Sequence, residues 1–231
     1  MSHPSQLEFV DLTKSLFPDM FAGRKVLEIG SLDINGTVRG YFTNCEYTGL
    51  DVAPGPGVDV VCEGQKYNAP DASFDTVICC EVMEHNPYWV DTFYNMMRLL
   101  KPGGLMIMSC ATGWRPEHGT SRSDPGNSPL TVEQGWEYYR NLGARDIMRK
   151  VDFSSLSAWA FATNWDAWDL YLLGTKDPRP EAAEKIASFK ARYKGRVLSS
   201  FVRRVSRVLR EPFRIGAFVR RKTGMGARPG N

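Results

Sequence analysis

The stretch Val26-Leu27-Glu28-Ile29-Gly30-Ser31-Leu32-Asp33-Ile34-Asn35-Gly36-Thr37-Val38, taken with Tyr47-Thr48-Gly49-Leu50-Asp51, decides the fold. An apolar run that ends in a glycine-broken turn and continues into a helix-compatible segment has the pattern of a buried parallel strand delivering a nucleoside to a helix N-terminus. A second short strand ends in Asp51, roughly 20 residues beyond the turn, where a carboxylate can accept hydrogen bonds from both hydroxyls of a ribose. The dinucleotide spacing G-x-G-x-x-G is not kept, because Leu32 and Ile34 stand where two of its glycines would be. That weakens a pyrophosphate cradle and leaves a nucleoside-binding half-sheet.

Two further motifs follow in order: Phe74-Asp75-Thr76-Val77-Ile78-Cys79-Cys80-Glu81-Val82-Met83-Glu84-His85, then Leu99-Leu100-Lys101-Pro102-Gly103-Gly104-Leu105-Met106-Ile107-Met108. From about Gly23 to Lys176 the chain resembles the class I S-adenosylmethionine-dependent methyltransferases, in particular small bacterial members with the Glu-Ile-Gly-Ser turn. The resemblance implies an α/β, Rossmann-like fold with a seven-stranded, mostly parallel sheet and helices on both faces. It also implies S-adenosyl-L-methionine as cofactor and S-adenosyl-L-homocysteine as product. Carried over residue by residue, Glu28, Gly30 and Ser31 surround the methionine part, and Asp33 and Asn35 bond its ammonium or carboxylate. Asp51 takes the ribose with Val52 beside it, Glu63 faces the adenine, and Cys80 and Glu81 line the floor. His85 stands near the cofactor as a structural or cofactor-side group. A solvated loop acid is the plainer alternative for Glu63.

The composition bounds the remaining choices. A chain of 231 residues with 42% hydrophobic and 24% charged residues is an ordinary globular protein with ample core. No apolar span reaches bilayer length, and Met1-Ser2-His3-Pro4 is not a basic-then-apolar leader, so a cytoplasmic protein is expected. Five cysteines, at 45, 62, 79, 80 and 110, have neither zinc nor disulfide spacing and are expected as reduced thiols. The net charge of +3 divides unevenly: residues 178–231 hold 15 Lys and Arg against 3 Glu, and residues 1–177 hold 14 against 23 Asp and Glu. An acidic domain with a basic tail is unlike a uniformly basic nucleic-acid enzyme.

Three regions are expected: a helical cap over 1–22, the cofactor-binding domain over 23–177, and a basic amphipathic helical tail over 178–231. In the cap, Leu7, Val10, Leu16 and Phe17 give a short amphipathic helix that covers the cofactor site or packs on the sheet edge. Strands are expected at 25–29, 45–50, 58–61, 76–80 and 105–110, and a final antiparallel pair at 157–163 and 169–174. Trp89, Phe93, Met96, Met97 and Leu100 form a helical core stripe without chemistry, and 131–141 and 144–151 read as helices. In the tail, Ile186, Phe189, Tyr193, Val197, Phe201, Val205 and Val208 repeat at helical spacing against Arg203, Arg204, Arg207 and Arg210. Such a face docks on its own domain or a twin subunit, or meets an anionic membrane surface; nucleic acid is the lesser alternative.

The connection 111–129 is long for a compact domain and leaves the carboxyl end of a strand, where ligands bind in open parallel sheets. It is the expected acceptor site, with Arg115 and Arg122 to clamp an anionic or polyhydroxylated acceptor and Glu117 and Tyr138 as further substrate-binding residues. Methyl transfer from a sulfonium is an in-line displacement on an already activated carbon, and no metal is demanded. If the acceptor is a hydroxyl, His118 is the expected base; His3, in a terminus, is set aside. The expected activity is O-methylation of a sugar, glycan or other small molecule. The alternatives are an RNA or protein methyltransferase guided by the tail, an NAD(P)-dependent oxidoreductase, and a non-catalytic module that retains the fold.

Overall fold

The computed structural model of the protein describes residues 3–177, 179 and 181–194. Strands β1 (Lys25–Ile29), β2 (Glu46–Asp51), β3 (Val60–Val61), β4 (Phe74–Cys80), β5 (Leu100–Ala111), β6 (Leu156–Asn164) and β7 (Asp169–Lys176) form one sheet in the order β3-β2-β1-β4-β5-β7-β6. The first five run parallel, and β7 lies antiparallel between β5 and β6. Continuous apolar runs such as Thr76–Cys80 require cover on both faces. Helices supply it: α1 (Pro4–Leu16) on one face, and α2 (Trp89–Leu99) with α4 (Ala144–Met148) on the other.

The period-2 alternation of strands divides the core in two. Leu27, Ile29, Val77 and Cys79 meet α2 through Trp89, Phe93, Met96 and Met97. Val26, Ile78 and Cys80 point the other way and meet Phe9 and Val10 of α1. A helix over 182–194, here α5, completes that second layer by burying Ala182, Ile186, Phe189 and Tyr193. The Phe9 ring stacks on Tyr171 of β7 at 4.3 Å, Phe189 lies 5.8 Å from Phe9, and Tyr193 lies 5.2 Å from Tyr171. The first part of the basic tail thus docks on its own domain. The expected apolar and basic positions from Val197 to Arg210, with the membrane or subunit contact assigned to them, lie outside the described residues.

Four local expectations are corrected. The segment after β1 carries only a three-residue 3-10 turn, Arg39–Tyr41, because Gly36 at φ +118° breaks the chain direction and Asp33 Oδ1 accepts its N–H. The third strand keeps only Val60–Val61. The helix expected over 131–141 is the single turn α3 (Pro129–Glu133); Gly135, at φ +72°, ends it, and the following residues run irregularly into the site. The helix expected over 144–151 stops at Met148. All five cysteines are free thiols, with Cys79, Cys80 and Cys110 buried. Among the described residues no helix is long and apolar enough to cross a membrane.

Candidate cofactor and acceptor site

A cavity opens at the carboxyl ends of β1, β2 and β4, where the strand order reverses between β1 and β4. The turn after β1 is pulled onto β2 because Gly30 N–H and Ser31 N–H both donate to Leu50 O, at 2.8 and 2.9 Å. Gly30 sits at φ +82°, and a β-carbon there would stand 2.0 Å from Val82 Cγ2, so any other residue must displace Val82 and adopt a strained backbone. Asp51 is oriented by two backbone donors: Leu32 N–H reaches Oδ2 at 3.1 Å and Val52 N–H reaches Oδ1 at 2.8 Å. Burial raises its carboxyl above the usual range, and those two donors act in the opposite sense. Each oxygen keeps a lone pair for a ligand hydroxyl.

Of the residues expected around the cofactor, Gly30, Asp51, Val52, Glu81 and His85 line this cavity together. Glu28 is buried on the α1 side of β1, where the Tyr47 hydroxyl donates to Oε2 at 2.8 Å; burial pushes its carboxyl up to about 7. Ser31 is buried with an unpartnered hydroxyl. Asp33 and Asn35 are exposed on the turn. The Glu63 carboxylate holds Lys66 Nζ at 2.5 Å and Gln65 Nε2 at 2.6 Å, while its neighbours Cys62 and Gly64 line the cavity. Cys80 points into the second core.

Sequence reasoning passed over several lining residues. Leu32, Ile34 and Val82 supply apolar walls, and the segment 127–131 with Trp136 closes one side. The apolar positions of the turn, read above as departures from a glycine pattern, were the available signal. Asn127, Ser128 and Pro129 belong to the long connection expected at the acceptor site, whereas nothing local marks Leu130, Thr131 or Trp136.

Behind Glu81 lies a buried ionic cluster. Glu81, at φ +56°, ends β4 and accepts from Ser109 Oγ at 2.9 Å. Arg115 Nη1 bridges Glu81 Oε2 at 2.8 Å and Asp169 Oδ1 at 2.5 Å. Tyr171 donates to the other oxygen of Asp169 at 2.9 Å. His3 also reaches in, 3.4 Å from Asp169 and 3.7 Å from Glu81, so the histidine set aside on sequence belongs to this cluster. Against the effect of burial, His3 and Arg115 hold the Glu81 carboxyl low. Burial and the Glu81 charge raise Asp169 and Glu84. Arg115 is therefore an internal counter-ion rather than an open clamp.

Beside the cavity, His85, His118 and Tyr139 form an aromatic wall with centroids 4.9 to 5.4 Å apart. His118 Nδ1 lies 3.0 Å from Pro116 O, and the Tyr139 hydroxyl donates to the same carbonyl at 3.1 Å. Burial pushes His85 down to about 3; burial and the Arg115 charge lower His118, so both rings are neutral at physiological pH. Glu117 and Arg122 pair on the surface at 2.7 Å, and Arg122 also reaches Glu137 at 3.2 Å. Tyr138 is half-buried against the first core. His118 packs against His85, which lines the cavity, but His118 itself, like Arg115, Glu117, Arg122 and Tyr138, is outside the lining.

Residues 27–108 match the family model described as a methyltransferase domain. The chain is 28% identical over 190 residues to the ubiquinone biosynthesis O-methyltransferase of Dechloromonas aromatica, covering 73% of each chain. Among solved structures it superposes on the 1,6-didemethyltoxoflavin-N1-methyltransferase of Burkholderia thailandensis, which was crystallised with S-adenosylhomocysteine. That match has a TM-score of 0.51 and 14% identity, covering 75% of this chain and 80% of the other. The phosphoethanolamine N-methyltransferase 2 of Haemonchus contortus, in complex with S-adenosyl-L-methionine, gives a TM-score of 0.51 at 15% identity, with 74% of this chain spanning about half, 52%, of that one.

Proposed function

Since the chain belongs to the class I S-adenosylmethionine-dependent methyltransferases, we propose that it methylates a hydroxyl oxygen of a small-molecule acceptor, with saccharides and other hydroxylated compounds as the acceptor class. The observation that carries this reading is that Asp51 and His85 line one cavity, with the neutral rings of His118 and Tyr139 packed behind His85. Oxygen is supported by the O-methyltransferase relative, and a small acceptor by the enclosing segment 127–131 and Trp136.

The residues present fit the cofactor. Gly30 lets the turn pack against Val82 with its backbone lining the cavity that receives the ligand. Asp51, fixed by Leu32 and Val52, receives the ribose hydroxyls, and Leu50, Cys62 and Gly64 provide the slot for the base, which Glu63 shapes through Gln65 and Lys66. Ser31, with its free hydroxyl, and Asp33 and Asn35 on the turn serve the amino-acid end. Bound there, S-adenosylmethionine supplies a methyl carbon already activated by positive charge. The protein's work is to hold the acceptor oxygen in line with it, a positioning effect that can reach about 7–11 kcal/mol. Leu32, Ile34, Val82 and Trp136 exclude water, and His118 is the group this reading puts beside the acceptor's proton.

The test is calorimetric titration with S-adenosylhomocysteine, with NADH as control, followed by radiolabelled methyl transfer to panels of saccharides, hydroxylated aromatics and RNA. Transfer to hydroxylated small molecules supports the reading. Labelling of RNA alone, or binding of NADH in place of the homocysteine nucleoside, overturns it.

A further inference from the structure

Glu84, His85 and His118 are all buried, at 0%, 3% and 8% exposure, and each offers a donor atom within 4.8 Å of the other two. Two of those side chains have a polar atom with no partner: Glu84 Oε2 and His85 Nδ1. The other Glu84 oxygen is fixed by the Ala111 N–H at 2.9 Å, which holds the carboxylate in place and leaves Oε2 directed elsewhere. Burying a carboxylate oxygen and an imidazole nitrogen without partners is expensive. His85 lines the ligand cavity, and a fold that keeps it and the adjacent Glu84 in this state is arranged for something that satisfies them together.

The third residue is set up in the same sense. His118 Nδ1 faces the carbonyl of Pro116 at 3.0 Å, so a proton on Nδ1 leaves Nε2 bare as an acceptor. A carbonyl on one ring nitrogen is the usual way a metal-binding histidine has its tautomer and ring plane fixed. The Tyr139 ring packs against both histidines, and its hydroxyl shares the Pro116 carbonyl. A β-carbon on Gly119 would stand 2.7 Å from His85 Cε1, so the loop that carries His118 is pressed directly onto His85.

We propose that Glu84, His85 and His118 form a site for one divalent cation of the Mn2+ or Zn2+ class, at the acceptor side of the cofactor cavity. Two imidazoles and one carboxylate favour such ions over an all-oxygen Ca2+ site, and three protein ligands leave positions open for an acceptor's oxygens. Ligand bonds of about 2.0–2.2 Å bring donor atoms closer together than 4.8 Å, so binding draws the three inward by an amount on the order of 1 Å. A second group with metal-like spacing, His3, Glu81 and Asp169, is already filled by a cation, because the Arg115 guanidinium bridges its two carboxylates. Those carboxylates also neutralise Arg115 and lessen its repulsion of an ion at Glu84.

The site deepens the methyl-transfer reading and rests on it for its chemical role. An acceptor hydroxyl on the cation loses its proton more readily, to bulk solvent as the acceptor enters and before water is excluded. Its oxygen then forms the O–CH3 bond as the CH3–S bond breaks, and the bonding pair stays on sulfur as a neutral thioether. His118 in this arrangement holds the ion instead of taking the proton itself, and the expectation that no metal is needed is replaced.

The experiment is calorimetric titration of the chelator-stripped full chain with Mn2+ and with Zn2+, and with S-adenosylhomocysteine in parallel. One cation per chain is expected, with affinity reduced at least tenfold in His118→Ala and in Glu84→Gln, while both variants still bind S-adenosylhomocysteine as proof of folding. Manganese electron paramagnetic resonance gives the same readout without turnover. No cation binding by a chain that does bind S-adenosylhomocysteine overturns the metal site and leaves the methyltransferase reading standing. Binding that survives both substitutions places the ion elsewhere and overturns it as well. Failure of S-adenosylhomocysteine to bind with or without the cation counts against the cofactor cavity instead.

Discussion

Gly30 and Val82 approach so closely that a β-carbon on Gly30 would stand 2.0 Å from Val82 Cγ2, which joins the turn after β1 to the turn after β4 across the mouth of the cavity. Gly30→Ala must either displace Val82 into the cavity or open the turn, and it also places a side chain at φ +82°. The expected outcome is loss of S-adenosylhomocysteine binding and destabilisation of about 1–3 kcal/mol by denaturant titration. Adding Val82→Ala relieves the clash but not the backbone strain, so it restores part of the stability. Full recovery in the double variant would show that the backbone conformation carries no penalty.

Asp51 presents one carboxylate whose two oxygens are fixed by Leu32 and Val52. Hydrogen bonds to a charged group contribute about 1.5–3 kcal/mol each, so Asp51→Ala should weaken S-adenosylhomocysteine by tenfold or more. Asp51→Asn should fall between, since the amide keeps acceptor capacity without charge. Calorimetry on the three proteins checks the order; equal affinities would remove Asp51 from the ligand.

Glu28 has its carboxyl raised by burial from an ordinary 4.5 to about 7. The folded chain therefore holds a proton that the unfolded chain has lost between those values, and stability falls as pH rises from about 4.5 to about 7. Glu28→Gln keeps an acceptor for Tyr47 and removes this titration. The variant should equal or trail the parent at pH 4.5 and exceed it at pH 8, by roughly 3 kcal/mol at most. Parallel pH dependences of Tm in the two proteins would refute the assignment.

Arg115 neutralises two nearly inaccessible carboxylates, Glu81 and Asp169. Removing one member of a buried ion pair typically costs about 3–5 kcal/mol, so Arg115→Met should destabilise strongly. The triple change with Glu81→Gln and Asp169→Asn should recover much of the loss. Chemical denaturation of the single and triple variants measures this, and a neutral Arg115→Met would mean that solvent already compensates the carboxylates.

Phe189 is fully buried between α5, Phe9 and Tyr193. Phe189→Ala should cost about 3–5 kcal/mol, and truncation after residue 177 should destabilise the domain by exposing Phe9 and Tyr171. A truncated chain with unchanged Tm would return α5 to the status of an appendage.

The sequence alone determined the sheet and the turn and acid that stand at the carboxyl ends of β1 and β2. Apolar runs of period two, the break at Gly30 and the acid at Asp51 are local signals, because strand burial and turn conformation depend on side chains a few residues apart. Cys79 and Cys80, adjacent on β4, lie in the two different cores because successive strand residues face opposite sides. Tertiary structure decided the clusters behind and beside the cavity. His3, Glu81, Arg115 and Asp169 come from four distant segments, and Glu84, His85 and His118 meet only because Gly119 brings the long connection against β4. The desolvation that leaves Glu84 and His85 unpartnered, and that closes Arg115 onto two carboxylates, arises only when those segments exclude water together; no spacing along the chain encodes it.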